Sequence, residues 1–193
     1  MTAAPAIAAE PTVADAERRR RAHHEAGHVV ARLALFPSQH FLVTVEPSSQ
    51  DLSQGIGGWV RPVHVVQRWS GKSETRWFGR YLAWYLRQCG TELYAGCASE
   101  SFRSPFGSLS LEALEGSKSD REQLVTLARR FGRTRPFVHW PSLMRAQRLI
   151  DERFGQLTAI AAALEARGAI NSKQARQIAE AAPPLTNRRP TSW

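Results

Sequence analysis

His24, Glu25 and His28 sit in a His-Glu-Ala-Gly-His stretch whose residue types and spacing suit hydrolysis at a metal ion. Residues four apart on a helix lie one turn above each other, so His24 and His28 put two imidazoles on one face at a separation that can chelate one zinc. Glu25 projects beside them. A carboxylate there can hold a water and take its proton, while zinc lowers that water's pKa toward neutrality and polarises a peptide carbonyl. The bland alternative is a solvated helix face carrying imidazoles next to the basic run Arg18 to Arg21. The motif's place on an amphipathic helix favours the metal reading, because the chemistry needs both rings on one face. His23 falls outside the pattern and reads as a neighbour.

A catalytic zinc takes three protein ligands and keeps a position open. No HExxHxxGxxH extension follows, so spacing alone leaves His40, His64, His139 and several carboxylates as third donors.

The elements that must position these groups follow from capping and periodicity. Thr12 to Asp15 reads as a helix-start box, and Ala22, Ala26, Val29, Val30 and Leu33 recur at helical spacing, predicting a first helix from about Asp15 to Leu35. Phe41 to Val45 and Gly55 to Arg61 read as short strands, the second at a sheet edge because of its glycines and Pro62. Ser73 to Phe102 is predicted to be a buried helix, interrupted or continued near Gly90 and Gly96, with Trp77, Tyr81, Trp84 and Tyr85 as core. Residues 103 to 118 read as a long loop, and Ser119 to Glu122 as the start of a helix to about Arg130 with Asp120 in its first turn. Beyond Pro141 one long helical pattern runs to Gly168, and Asn171 or Ser172 caps a last helix to about Ala181. The fold class expected is mainly α with a small β-sheet, α+β.

The stretch His24-Glu-Ala-Gly-His-Val-Val-Ala31 resembles the active-site helix of the FtsH-type zinc proteases, the proteolytic half of membrane-anchored AAA+ machines. In that family an Asp in a segment like G-A-x-x-D-[LI]-x-x-A-T-x-[LI]-A-R is the third ligand, and Gly116 to Arg129 is similar, which implies Asp120 for that role. An ordinary Asp favoured by a helix N-terminus is the plain alternative. Val43 to Pro47 resembles the family's strand after the first helix, Gly57-Gly58-Trp59 its Gly-Gly-aromatic edge strand, and Ala95 to Phe102 its [AG]-G-R-x-A-E-E-L helix. Leu157 to Ile178 is similar to its closing helices, so the likeness spans roughly residues 18 to 180. It implies an FtsH peptidase-like helical domain with Zn2+ as cofactor and a substrate added as a strand at Gly57, Gly58 and Trp59. Departures are visible. The stretch from His28 to Asp120 is longer than the family's, Cys97 replaces an Arg, and Ser101 replaces an acid, leaving Glu100 as an outer partner for a zinc-binding His.

With 193 residues, 42% of them hydrophobic and 22% charged, the chain fits one globular core. The division expected is a flexible lead at 1–17, the peptidase-like domain at 18–182 and a loose tail at 183–193. No apolar run approaches a membrane span, the lead lacks signal-peptide features, and Cys89 and Cys97 read as free buried thiols, which together point to the cytoplasm. The formal charge of +9 is carried mostly by Arg, with no nucleic-acid-binding motif interleaved. No P-loop is present, so ATP-driven unfolding is not expected of this chain. The function expected is a stand-alone zinc endopeptidase acting on flexible polypeptide segments, with a separate ATPase or adaptor, or self-association into an oligomer, as conceivable partners. The competing reading is a catalytically idle metal-binding module that uses its basic surface to hold a protein or nucleic acid. An intact Glu25 argues against it.

Overall fold

A computed structural model describes residues 12–46, 59–62, 76–101, 117–130 and 136–182. Among these are helices α1 (Val13–Leu35), α2 (Arg76–Ser101), α3 (Lys118–Arg130), α4 (Pro136–Glu152), α5 (Phe154–Arg167) and α6 (Ser172–Ala181). Three short strands, β1 (Phe41–Thr44), β2 (Trp59–Pro62) and β3 (Ala169–Asn171), complete a mainly helical α+β architecture.

α1 starts where its capping chemistry begins. The Thr12 side chain accepts from the Asp15 N–H while the Asp15 carboxylate accepts from the Thr12 N–H, satisfying two helix-end donors reciprocally. The helix therefore starts two residues before the Asp15 expected from the sequence, so Val13 to Glu17 of the lead expected at 1–17 are helical. Its apolar positions Ala22, Ala26, Val29 and Val30 are fully buried. They join Leu157, Ile160 and Leu164 of α5, Phe41 and Val43 of β1, and Ile170 of β3 in one core. α1 is thus the central element, covered by α2 on one side and α5 on another.

The sheet has strand order β2-β1-β3, both pairings antiparallel. β1 pairs with β2 in the register Phe41 to Pro62 and with β3 through Val43 and Ile170. Among the described strands β2 lies at an edge, as its Pro suggested; Gly57 and Gly58 lie outside the described residues. β3 was not foreseen. Three residues between helices give no periodic signal, and the strand exists because Gly168, at φ 75°, turns the chain out of α5 into line with β1.

α2 runs unbroken through Gly90 and Gly96. Two expectations fail nearby. Trp84 is 44% exposed rather than core, and the pattern after Pro141 is two helices, not one. The break is at Arg153, whose ψ of 27° leaves the helical region, while Pro141 lies inside α4, whose start at Pro136 precedes it. Asn171 caps α6, accepting from the N–H groups of Lys173 and Gln174. Among the described residues no helix is long and apolar enough to cross a membrane.

Candidate metal centre

The close approach of α1 and α2 begins with Gly27. A Cβ there would overlap the Ala95 carbonyl oxygen and come within 2.8 Å of the Ser99 Oγ, so only glycine lets the two backbones meet. Ser99 fastens the crossing by donating to the His23 carbonyl at 2.7 Å. One turn along α1 from His24, His28 faces the same neighbour.

Three donor atoms converge there. His24 Nε2 and His28 Nε2 are 3.1 Å apart, and Asp120 Oδ2 lies 3.2 Å from the first and 3.3 Å from the second. The rings meet edge to face, at an interplanar angle of 73°. Two bare nitrogen lone pairs at this distance repel, so a proton or a cation must lie between them. A tetrahedral zinc with bonds of 2.0–2.1 Å spaces its ligands about 3.3–3.4 Å apart, close to the three separations found. The donor set therefore fits a metal ion, and His24, His28 and Asp120 are the group among the described residues able to hold one.

The far sides of both rings are fixed. His28 Nδ1 donates to the Glu92 carbonyl at 2.8 Å, and His24 Nδ1 stands 2.5 Å from Glu100 Oε1. A proton on each Nδ1 leaves each Nε2 as the metal-facing atom, the arrangement that metal-binding histidines require. Gly96 completes the space. A Cβ at this position would lie 2.6 Å from both Nε2 atoms and 2.7 Å from His24 Cε1, pressing on the imidazoles themselves.

Without a metal, the group behaves as a buried ion cluster. Burial disfavours a charged His24, but hydrogen bonds to Asp120 and Glu100 outweigh it and raise its pKa to about 10. His28 is likewise raised, the charge of Asp120 overcoming burial. Burial would lift Asp120, yet the charge of His28 and the contacts with both rings hold it below the usual carboxylate range. Glu25 goes the other way: burial raises it, and the charges of His28 and His24 offset only part of the rise. Its Oε2 is buried without a hydrogen-bond partner among the described residues. Such an orphaned acceptor beside a metal-ready cluster is a site for a water or a substrate donor.

The structure thus brings together His24, Glu25, His28, Asp120 and the outer partner Glu100. His40 is exposed at the start of β1 and stands outside the cluster. His64, Gly57, Gly58 and the side chains of His139 and Trp59 lie outside the described residues, as does the loop through 116. Cys97 is buried and Cys89 half-buried, both free thiols, and neither joins the cluster. Sequence reasoning missed Glu92, whose contribution to His28 is a main-chain carbonyl that carries no residue-type signal. It also missed Gly96 as the residue that leaves room for both imidazoles, and the arginines Arg20 and Arg32. Their spacing, four residues before His24 and four after His28, was a usable sign. No protein-family model and no curated protein matches this chain.

Proposed function

We propose that the chain is a zinc metallopeptidase of the FtsH-peptidase-like type, with His24, His28 and Asp120 holding the metal and Glu25 as general base. The observation that carries this reading is the convergence of three donor atoms at 3.1 to 3.3 Å beside a buried carboxylate with a free oxygen. A bound zinc would supply a Lewis acid that acidifies water and polarises the scissile carbonyl. The chain's own groups do the rest. Glu25 accepts the proton of the attacking water on a carboxylate oxygen as the new C–O bond forms, then delivers it to the amide nitrogen as the C–N bond breaks. Its raised pKa makes the carboxylate a stronger base for the first half of that transfer. Glu100 and the Glu92 carbonyl keep the imidazoles aimed throughout.

The substrate is a polypeptide in extended form. β2 is an outer strand of the described sheet, and its main chain offers an added strand the pairing that fixes a peptide without reading its side chains. Flexible segments fit such a site, because an extended backbone must be free of its own structure. The deciding experiment compares zinc content and cleavage of an unfolded test protein for the unmodified chain and for Glu25→Gln. The variant is expected to retain about one zinc and lose cleavage by about a thousandfold or more. A zinc-loaded unmodified chain that leaves every unfolded protein intact would refute the peptidase reading.

A further inference from the structure

The lines of side chains facing each other across the site share one spacing. Arg20, His24, His28 and Arg32 recur every fourth residue along α1, and Glu92, Gly96 and Glu100 do so along α2. The helices meet so that Arg20 pairs with Glu100 at one end and Arg32 with Glu92 at the other, while Gly96 faces the two imidazoles between them. Each pair is tied to one ring. Arg20 Nη1 donates to Glu100 Oε2 at 3.3 Å, and the other oxygen of Glu100 meets His24 Nδ1. Arg32 Nε donates to Glu92 Oε1 at 2.9 Å, and the carbonyl of the same Glu92 receives His28 Nδ1. Arg20 is itself held by Glu17, which accepts from its Nε and Nη2 and leaves Nη1 for Glu100.

Stability alone explains the inner pair poorly. Arg32 and Glu92 are both buried, and withdrawing two ions from water costs about what their attraction returns, so an apolar pair would often serve the fold as well. A charged pair with directed hydrogen bonds does something an apolar pair cannot: it fixes separation and orientation together. We infer that Arg20 and Arg32 are positioning residues for the metal, two ion pairs that clamp α2 to α1 on either side of the site and set the aim of His24 and His28 through Glu100 and the main chain of Glu92. This inference rests on the metal-centre reading above.

The test uses the full chain, measuring zinc dissociation by chelator competition and, after cobalt(II) substitution, the visible absorption band that reports ligand geometry. Arg20→Ala is expected to weaken zinc by about tenfold and to shift the cobalt band, because it loosens a partner of a ligand. Arg20→Lys, which can still reach Glu100, should recover part of both. Arg19→Ala, which removes an exposed pair with Glu165, should change neither. Arg32→Ala strands Glu92 and can unfold the chain, so the other side is read from Arg32→Met combined with Glu92→Leu. That pair should keep or raise thermal stability, yet weaken zinc and shift the band. If Arg20→Ala and the double variant bind zinc within about threefold of the parent with an unchanged band, the ion pairs only hold helices together and the inference is overturned. If the double variant does not fold, Arg20→Ala decides by the same criteria. A parent chain that takes up no zinc or cobalt would bring down the metal centre itself and the clamp with it, a result distinct from a parent that binds and variants that bind equally.

Discussion

Gly96 of α2 stands where a methyl group would come within 2.6 Å of His28 Nε2, and equally close to His24 Nε2. The obstruction would meet two imidazoles and not backbone, but each ring is pinned at Nδ1 and gives way only by loosening that hydrogen bond. Alanine is also the better helix former by roughly 0.5–1 kcal/mol. Gly96→Ala should therefore fold, with the helix gain offsetting part of the cost of displacing the rings, and lose zinc affinity by more than about 100-fold, exceeding the usual cost of losing an outer partner. Gly27→Ala gives the contrasting result. Its methyl would press on the Ala95 main chain, forcing α1 and α2 apart at a cost of about 1–3 kcal/mol or more, visible in denaturant melts. Parallel melts and zinc titrations of the two variants check both; unchanged zinc binding in Gly96→Ala would place the ion elsewhere.

The ion cluster sets a pH dependence whose sign depends on the metal. His24 has its pKa raised from 6.5 to about 10, so its contribution to the metal-free fold is complete below about pH 6.5 and is lost as pH rises through about 10. Asp120 is depressed below 3.8, so its contribution is present above that value and is lost as the solution is acidified beneath it. Metal-free protein should be most stable between about pH 4 and 6.5 and weaken toward pH 10. Zinc needs bare Nε2 atoms, so loading near pH 7 must expel protons. Calorimetric titration with zinc in two buffers of different ionisation enthalpy measures that release. Identical heats in both would show that the histidines were already neutral.

Much of this arrangement was legible because it is written in local chemistry. The Thr12–Asp15 box, the His24–His28 spacing and the Asn171 cap each depend on residues within one turn, where sequence order and spatial order coincide. Asp120 needed the family resemblance, since nothing local distinguishes a ligand from an ordinary acid in a helix's first turn. What escaped is non-local or main-chain. β3 forms only because Gly168 aligns three residues with β1, and the Glu92 carbonyl acts through backbone that every residue possesses. Trp84 followed the helical period of α2 but lies at the margin of its buried face, where a large ring stays partly wet.

Cys97 occupies the place of an arginine in the resembled family, and its surroundings make it inert. Burial pushes the thiol up to about 11, and burial likewise pushes Cys89 up to about 12. With an ordinary value of 9.0, about one thiol in ten is ionised at pH 8; at 11 the fraction falls to about one in a thousand. A chromogenic thiol reagent at pH 8 should therefore label the folded chain at least about a hundredfold more slowly than the chain in denaturant. Rapid labelling of the native protein would mean that one cysteine is exposed and ionised.

Asp120 offers the sharpest separation between a ligand and a helix-end charge. As a first-turn carboxylate on α3 it would contribute only about 0.3–1 kcal/mol through the helix dipole, and Asp120→Ala would leave zinc untouched. As the third donor, its loss leaves two imidazoles to hold the ion, and near-stoichiometric zinc in the parent should fall to a small fraction in the variant. Elemental analysis of both proteins after desalting distinguishes the cases, with circular dichroism confirming that helix content is kept. The size of the stability change adds a second criterion. In the metal-free variant both imidazoles lose the carboxylate they share, so the melting temperature should drop by more than a dipole contact explains, and the drop should shrink as the pH is raised toward 10, where His24 no longer carries its proton.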